Sequence, residues 1–523
     1  MEDLLLETRD LLLNYQKNGP PSTKIVAASR RLQDAESSTD DLPSSASNLP
    51  LELLLLIADL VKPAQSFISE DEDLDAEIAL AKEQNMRHLP SLMVLAQHLV
   101  RLLRPPLDPP IPNELDSRAR LLLVFGRFSQ MDVGSPSITE DACSNASSFC
   151  YHLLGNPPSI RLPLLRHLLS RSLPPFFKPH PKFNPSTGRV LSRPLGGQTG
   201  VQDWYEEPEG DATGWRKQPG LGGVVNLIIE TLEPNEVEDL WPPLLPPVLS
   251  YLDDYESKSR IVGVRLLDKL LDRVDASLLR RTGVGKVFEK SLDSCFSTLS
   301  DPLTPQLHTH THPVALKLLN IQHSPSALPS QHEAAEEARF NALCNLLSSS
   351  ILHAWEFKGQ NVALETIAAR ALPAILDALG ANSIRYLQIL VPHLCVLLTS
   401  TATAAGGTWS IETVEMMTEA ARALESVVRN ASPRIGRWRG RIVGAVAQTW
   451  VGLQEGDGVG KLKNKEEGAE RLEALTEALK SVGRGLEEAC GQKEVKLADR
   501  LRSMSSLFAD LLPVSRTSTT VAV

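Results

Sequence analysis

The chain is poor in cysteine and in aromatic residues. Six cysteines are spread over 523 residues without a C-x-x-C pair, so the sequence predicts neither a disulfide framework nor a cysteine zinc site. Aromatic residues make up only 5%, and the apolar residues are mostly Leu, Ala and Val, which is typical of helices rather than of β-sandwiches or barrels. The composition therefore predicts an all-α protein with free thiols in a reducing compartment.

The chain also lacks an excess of positive charge and a long apolar run. Its net charge is −11, which argues against nucleic acid or an anionic membrane as the main partner. No apolar run approaches the roughly 20 residues that span a bilayer, and the first ten residues are acidic where a signal peptide is basic. The basic cluster at 434–441 is interpreted as the polar side of a packed helix start. We expect a soluble intracellular protein without nucleic-acid or membrane partners.

Catalytic motifs fail at named positions. A Walker A loop ending at Lys286 needs Gly where Arg280 stands and Ser or Thr where Val287 stands. The glycines of 220–225 lack the third glycine of a dinucleotide-binding loop and read as a helix start, and Glu336 replaces the second histidine of H-E-x-x-H. The sequence predicts no catalytic residue and no cofactor.

Three histidines alternate with threonines in the tract His308-Thr-His-Thr-His312. The tract is predicted to be a loop, and no carboxylate lies nearby in sequence to support a metal ligand. Adventitious metal binding or none is favoured, so the predicted metal site is none. A metal-dependent enzyme using this tract remains a third-ranked hypothesis.

A helical hairpin is the clearest organisational signal. Between 240 and 271 two apolar stripes recur at helical spacing, and Asp253-Asp254-Tyr255 forms a polar corner that is predicted to cap the second helix. Such a hairpin cannot bury both stripes alone and needs stacked neighbours, which similar stripes supply as far as residue 430. The pattern predicts a HEAT-like α-solenoid of irregular helical hairpins with a long Pro/Gly-rich insert.

Composition divides the chain into eight predicted segments. They are an N-terminal helix (1–17), a flexible linker (18–50), N-terminal helical hairpins (51–173), a Pro/Gly/aromatic insert (174–223), a HEAT-like solenoid (224–452), a linker (453–468), C-terminal polar helices (469–512) and a mobile tail (513–523). The acidic stretch after Ser69 is interpreted as a solvated surface, with phosphorylation of that serine left open.

The insert at 174–223 holds eight prolines and nine glycines in 50 residues, yet it also carries tryptophans and phenylalanines. Loops of this length are usually functional or disordered, and aromatic anchors favour a structured insert. Two interpretations stay open, a brace along the solenoid and a partner-binding flap. The candidate residues are Lys178, His180, Lys182, Asn184, Arg189, Asp203, Trp204, Tyr205 and Trp215.

Several short motifs together resemble one known family. They are Lys178–Arg189 (KPHPKFNPSTGR), Arg193-Pro194, Gln202–Glu206 (QDWYE), Trp215, Pro219–Gly223 (PGLGG), Trp241–Tyr255 (WPPLLPPVLSYLDDY), Arg265–Asp268 (RLLD) and Arg281–Gly285 (RTGVG). The chain resembles the Tel-two-interacting protein two family, the smallest subunit of the Triple T complex. The resemblance is specific over about 174–300 and plausible in layout over about 50–450.

The resemblance implies a non-catalytic scaffold that assembles with two larger HEAT-type subunits. Such a complex acts as a co-chaperone adaptor with the Hsp-ninety machinery and the RuvB-like ATPases. Its clients are phosphatidylinositol-3-kinase-related kinases, so it serves DNA-damage, telomere and nutrient signalling in cytoplasm and nucleus. Asp253, Asp254, Tyr255 and Arg265 are expected to be structural residues of the repeat corner. The alternative is a HEAT-type transport or ribosome-assembly receptor, which should show a longer and more regular array.

Overall fold

α-Helices dominate the computed structural model of the chain. The structure describes residues 2–18, 22–38, 49–61, 76–103, 112–130, 139–155, 158–196, 214–323, 332–356, 361–400, 409–455, 459–490, 503–508 and 511. Within these ranges the sole β-type pairing is an isolated bridge between Phe183 and Val190. None of the described helices combines the length and apolarity that a membrane crossing requires. The all-α prediction is confirmed.

The chain divides into two compact units, Met1–Ser291 and Leu292–Val523. The α-helices that begin in the first unit are α1 (Glu2–Asn18), α2 (Ser22–Ser38), α3 (Leu49–Val61), α4 (Ala76–Arg101), α5 (Pro112–Phe125), α6 (Glu140–Gly155), α7 (Pro158–His167), α8 (Leu221–Thr231), α9 (Val237–Leu252), α10 (Ser257–Leu271), α11 (Ala276–Thr282) and α12 (Val284–Phe296). A 3₁₀ turn at Gly126–Phe128 follows α5, and a π-helical turn at Leu168–Ser172 follows α7.

The second unit continues the pattern. Its α-helices are α13 (Thr304–Gln322), α14 (His332–Leu346), α15 (His353–Glu356), α16 (Val362–Leu379), α17 (Leu387–Leu398), α18 (Ile411–Asn430), α19 (Ser432–Ile435), α20 (Arg439–Glu455), α21 (Val459–Lys463) and α22 (Glu466–Cys490). Helix α18 packs against α16, α17 and α22, and in the first unit α10 packs against α8 and α9. Hairpins stacked in this way confirm the predicted HEAT-like α-solenoid architecture.

Three boundaries differ from the predicted segments. The predicted linker 18–50 contains α2, because Ile25, Ala28 and Leu32 recur at helical spacing and are buried. Burial of that stripe outweighs a Ser-rich and Asp-containing composition. The predicted linker 453–468 likewise contains α21. The predicted solenoid 224–452 is divided between the two units after Ser291.

Helix α22 overlaps the first predicted C-terminal helix, whereas most of the second, at about 492–512, lies outside the described residues. The tail 513–523 and Ser69 also lie outside them.

The histidine tract 308–312 is part of helix α13, so the prediction of a loop is wrong. His308 and His312 are buried one turn apart, and both rings pack against Phe296, at 5.4 and 4.7 Å between centroids. His312 Nδ1 lies 2.8 Å from the His308 carbonyl oxygen. Pro305 in the first turn starts the helix, and burial of one face, which includes Leu307 and Leu318, outweighs the weak helix propensity of His and Thr. These two imidazoles are core residues.

Helices α9 and α10 touch through their backbones at Gly263. A Cβ atom at this position would lie 2.4 Å from the Leu252 nitrogen and 2.7 Å from the Tyr251 carbonyl carbon. Backbone atoms cannot rotate aside as a flexible side chain does, so only glycine allows this approach. The contact sets the position of the last turn of α9 and of the corner that follows it.

Gly263→Ala is expected to destabilise the fold by about 1–3 kcal/mol, because the added methyl group overpacks against backbone. Gly444→Ala is the matched control, since Gly444 also lies inside a helix but has open space around it. There the change should stabilise by about 0.5–1 kcal/mol through helix propensity. Chemical denaturation of both variants measures the difference. Equal effects would show that the helices do not meet at Gly263.

Acid should destabilise the fold through His308 and His312. Burial lowers the pKa of His308 to about 4 and that of His312 to about 3, so both are neutral in the folded state. Their stabilisation is present above the ordinary pKa of about 6.5 and is lost as pH falls from there toward 4 and 3. Between pH 7 and pH 5 each contributes a loss of about 2 kcal/mol.

The pH dependence of denaturant midpoints for His312→Phe and for His310→Gln, at the half-buried neighbour, measures this loss. The Phe variant should lose less stability than the parent between pH 7 and 5, and the control should match the parent. Identical profiles for all three proteins would contradict the assignment.

Candidate functional site: the proline-rich insert and the hairpin corner

The first half of the insert, residues 174–196, folds back on itself. Asn184 N donates to Arg189 O at 2.9 Å, Leu191 N to Lys182 O at 2.8 Å and Leu195 N to Pro181 O at 2.8 Å. Val190 N donates to Thr282 O at 2.9 Å, which ties the segment to the end of α11. The described half of the insert is therefore an ordered element of the first unit.

A tight turn from Asn184 to Gly188 forms the tip of this element. Asn184 Oδ1 accepts a hydrogen bond from Ser186 N at 2.9 Å, and Asn184 O accepts one from Gly188 N at 2.8 Å. Gly188 has a positive φ of 61°, and a Cβ there would lie 2.7 Å from Cδ1 of the buried Trp241. Asn184 is thus a turn-forming residue, and Gly188 lets the turn lie flat on α9.

His180 is a packed residue of the insert. It is buried, its ring lies edge-on to Phe183 at 4.8 Å, and Nδ1 accepts a hydrogen bond from Lys182 N at 3.2 Å. Burial, followed by the charge of Lys182, lowers the pKa of His180 to about 3. The imidazole is therefore neutral near pH 7 and braces the turn.

An aromatic cluster joins the two ends of the insert to α9. The rings of Phe177 and Trp215 stack at 6.2 Å, and Tyr251 lies 4.5 Å from Trp215 and 6.1 Å from Phe177. All three side chains are buried. Trp215 comes from the end of the insert and Phe177 from its beginning, so this cluster closes the insert at its base.

Arg216 and Asp254 form an ion pair beside the aromatic cluster. Arg216 Nε and one terminal nitrogen donate to Asp254 Oδ1 at 2.9 and 2.5 Å, and the Asp254 side chain is fully buried. The guanidinium lies over the rings of Trp215 at 4.9 Å and of Tyr255 at 5.1 Å. Tyr255 itself is 73% exposed. The pair fastens the insert to the corner between α9 and α10.

The predicted helix cap at this corner is wrong. Glu256 occupies the N-cap position of α10 and makes no side-chain cap hydrogen bond. Asp254 Oδ1 accepts from Tyr255 N at 2.9 Å, and the Asp254 carbonyl accepts from Arg260. Asp254 turns toward Arg216 rather than the helix end because the half-buried guanidinium of Arg216 compensates the desolvation of this carboxylate better than backbone amides alone.

Asp253 faces the insert from the same corner. Its pKa is raised by burial, against the opposing effects of a hydrogen bond with Ser291 and of the charges of Lys182, Arg260 and Lys290. Lys182 of the insert therefore lies close enough to Asp253 to influence its ionisation. Of the remaining predicted residues, Lys178 and Arg189 are exposed and Arg265 is half-buried. Asp203, Trp204 and Tyr205 lie outside the described residues.

Arg216, Arg127 and Gln218 are residues of the site that escaped the sequence analysis. Arg127 is buried in the turn after α5, and it donates to Gln218 Oε1 at 2.9 Å near the end of the insert. Burial lowers the pKa of Arg127 to about 10. A Cβ at Gly220 would lie 2.3 Å from Arg127 O, and one at Gly223 would lie 2.6 Å from Gly126 O. The PGLGG motif is thus a close-packed start of α8, as predicted. Its glycines are the sequence feature that could have indicated the close contact with the turn after α5.

The described residues contain no group of three or more His, Cys, Asp or Glu side chains arranged to hold a metal ion. What the site assembles is an aromatic cluster, an ion pair and a folded turn, all within the first unit. Such an arrangement suits an interaction surface that is kept rigid by the buried side chains beneath it.

Arg216→Ala is expected to cost about 3–5 kcal/mol of stability, because it leaves the buried Asp254 carboxylate without its cation. The double variant Arg216→Ala/Asp254→Ala should recover part of that loss, since no unpaired charge remains. Arg193→Ala is the matched control, as it removes an exposed cation of the same insert. Denaturation followed by tryptophan fluorescence measures these three variants and the single variant Asp254→Ala, which completes the cycle. Simple additivity of the two single losses would refute the pairing.

Comparisons by sequence give matches to known proteins. The Tti2 family model matches residues 122–405. The mouse protein TELO2-interacting protein 2 is 27% identical over 176 residues, which cover 34% of this chain and 32% of that protein. The rat protein of the same name is 26% identical over the same share. The match thus spans about a third of the length of these curated relatives.

Similarity to solved structures is weak. The crystal structure of an engineered protein gives a TM-score of 0.33 at 13% identity, covering 90% of this chain and 98% of that one. A chain of the SYS-1/POP-1 complex gives 0.30 at 12% identity, covering 98% of this chain and 95% of that one. The assignment therefore depends on the family model, which covers more than half of the chain and includes the whole insert and the α9–α10 hairpin. The chain belongs to the Tti2 family.

Proposed function

We propose that the protein is a non-catalytic scaffold subunit of a Triple T type co-chaperone adaptor complex. The observation that carries this proposal is the family match over residues 122–405. The names of the mouse and rat relatives describe interaction with TELO2, and we extend that partner to this chain. In this role the chain assembles with two larger HEAT-type subunits.

The geometry supports a scaffold. The insert is braced by buried rings, by the Arg216–Asp254 pair and by backbone bonds to α11, while Lys178 and Arg189 remain exposed on it. A surface held rigid in this way loses little conformational freedom on binding, which favours assembly. The tempting catalytic motifs fail at deciding residues, and the buried His180 and His308 serve packing.

The biological consequence is support for the maturation and stability of phosphatidylinositol-3-kinase-related kinases. Contact with those kinases, with the Hsp-ninety machinery and with the RuvB-like ATPases is expected to be indirect, through the larger subunits. The protein would then act in cytoplasm and nucleus, and its loss would affect DNA-damage, telomere and nutrient signalling.

Affinity purification of the tagged full chain from its own cells tests the proposal. Two larger HEAT-type subunits should be recovered in near-stoichiometric amounts, with kinases of this class at lower yield. A helical-repeat protein of similar size, carrying the same tag, is the matched bait control. Depletion of the chain should lower the steady-state level of the kinases, and re-expression should restore it.

Two outcomes would overturn the proposal. One is recovery of nucleoporins or pre-ribosomal particles in place of the two subunits, which would favour a transport or assembly receptor. The other is an unchanged level of the kinases after depletion.

A further inference from the structure

A cavity of about 140 Å³ lies between the insert, the π-helical turn Leu168–Ser172 and one face of α9. Its lining is almost entirely proline, leucine and phenylalanine, with His180 and Asn184 as the polar members. The lining residues from α9 are Pro242, Pro243, Leu245, Pro246 and Pro247. The cavity belongs wholly to the first unit.

The size of the cavity suits one aromatic ring. An engineered apolar cavity of about 150 Å³ takes up benzene in another protein, so ~140 Å³ is enough for a single six-membered ring. Flat proline and phenylalanine faces offer the contact area that such a ring buries. The apolar face of a partner helix, with several side chains, would be too large for this cavity.

The α9 wall also offers hydrogen-bond acceptors. Pro246 and Pro247 have no N–H group, so the carbonyl oxygens of Pro242 and Pro243 lack the usual helical donor four residues later. Pro242 and Pro243 both line the cavity. A ring that carries a hydroxyl can donate to one of these oxygens, which favours tyrosine over phenylalanine.

The insert segment that forms one wall of the cavity carries an excess of positive charge in its sequence, and of its cations Lys182 lies near Asp253. Residues 174–196 contain Lys178, Lys182, Arg189 and Arg193 and no acidic residue, although the whole chain has a net charge of −11. One turn before the cavity-lining prolines of α9, Glu238 and Asp239 are already paired, with Arg281 and Arg166. The rim therefore favours an acidic ligand.

We propose that this cavity binds one tyrosine side chain of an acidic segment in a partner protein. The inference rests on the proposed scaffold function, because it names the kind of partner that the insert receives. The tyrosine ring fills the cavity, its hydroxyl donates to the α9 carbonyls, and the flanking carboxylates lie along the basic turn.

Fluorescence anisotropy with the full chain tests the proposal. The probe is a fluorescein-labelled twelve-residue peptide with one central tyrosine flanked by Asp and Glu. Replacing that tyrosine with alanine in the probe should weaken binding at least tenfold. Pro243→Ala in the protein should also weaken binding several-fold, while its melting temperature stays the same or rises, because alanine is the better helix former.

A pair of charge-reversal variants distinguishes binding beside the cavity from general electrostatic attraction to the chain. Lys178→Glu/Arg189→Glu should weaken binding of the probe at least fivefold. Arg434→Glu/Arg437→Glu changes the net charge equally at exposed positions of the second unit and should leave binding unchanged. Equal losses in both double variants, or equal binding of the tyrosine and alanine probes, would overturn the proposal.

Other occupants give different results that also overturn it. If Trp204→Ala/Tyr205→Ala raised the affinity for the probe tenfold, the cavity would be filled by this chain's own acidic aromatic segment. If the full chain formed dimers in analytical ultracentrifugation and the probe dissociated them, the occupant would be a second copy.

Purification with the parent chain, read beside the probe assay, keeps the two proposals distinguishable. Recovery of both larger subunits by the parent chain, with no binding of the probe, overturns the cavity alone. Failure of the parent chain to recover them overturns the scaffold function.

Discussion

The close approach of α9 and α10 at Gly263 is the constraint on which the insert depends. Because the two backbones touch there, Tyr251 and Leu252 are held at one position at the end of α9. Tyr251 then receives Trp215 and Phe177, and the corner after Leu252 presents Asp254 to Arg216. The described part of the insert is held by turns and one isolated bridge, so these contacts with the hairpin provide the support that a long helix or a sheet ladder provides elsewhere.

Much of the fold was readable from apolar spacing. The stripes of α9, α10 and α16 identify helices because each buries one continuous face, and local periodicity reports that face directly. Helix α2 and the histidine tract in α13 were missed for a different reason. In α2 a Ser-rich and Asp-containing composition obscured the helical spacing of Ile25, Ala28 and Leu32. In α13 the weak helix propensity of His and Thr obscured the same spacing of its buried positions.

Individual residues of the candidate site could be predicted from the sequence, but the contacts between them could not. Trp215, His180 and Asn184 could be singled out from the sequence, and all three lie in the described part of the insert. Asp254 was singled out for a local role as a cap, whereas its partner Arg216 lies 38 residues earlier. Arg127 and Gln218 are 91 residues apart. Contacts over such separations follow from the stacking of hairpins, and a single sequence carries no record of them.

The two described parts of the insert are anchored at one place. Leu195 N donates to Pro181 O, and Trp215 stacks on Phe177, so residues 174–196 and residues 214–223 meet on the same short stretch, Phe177–Pro181. Neither contact involves residues 197–213. A substitution within Phe177–Pro181 would therefore loosen both described parts of the insert at once.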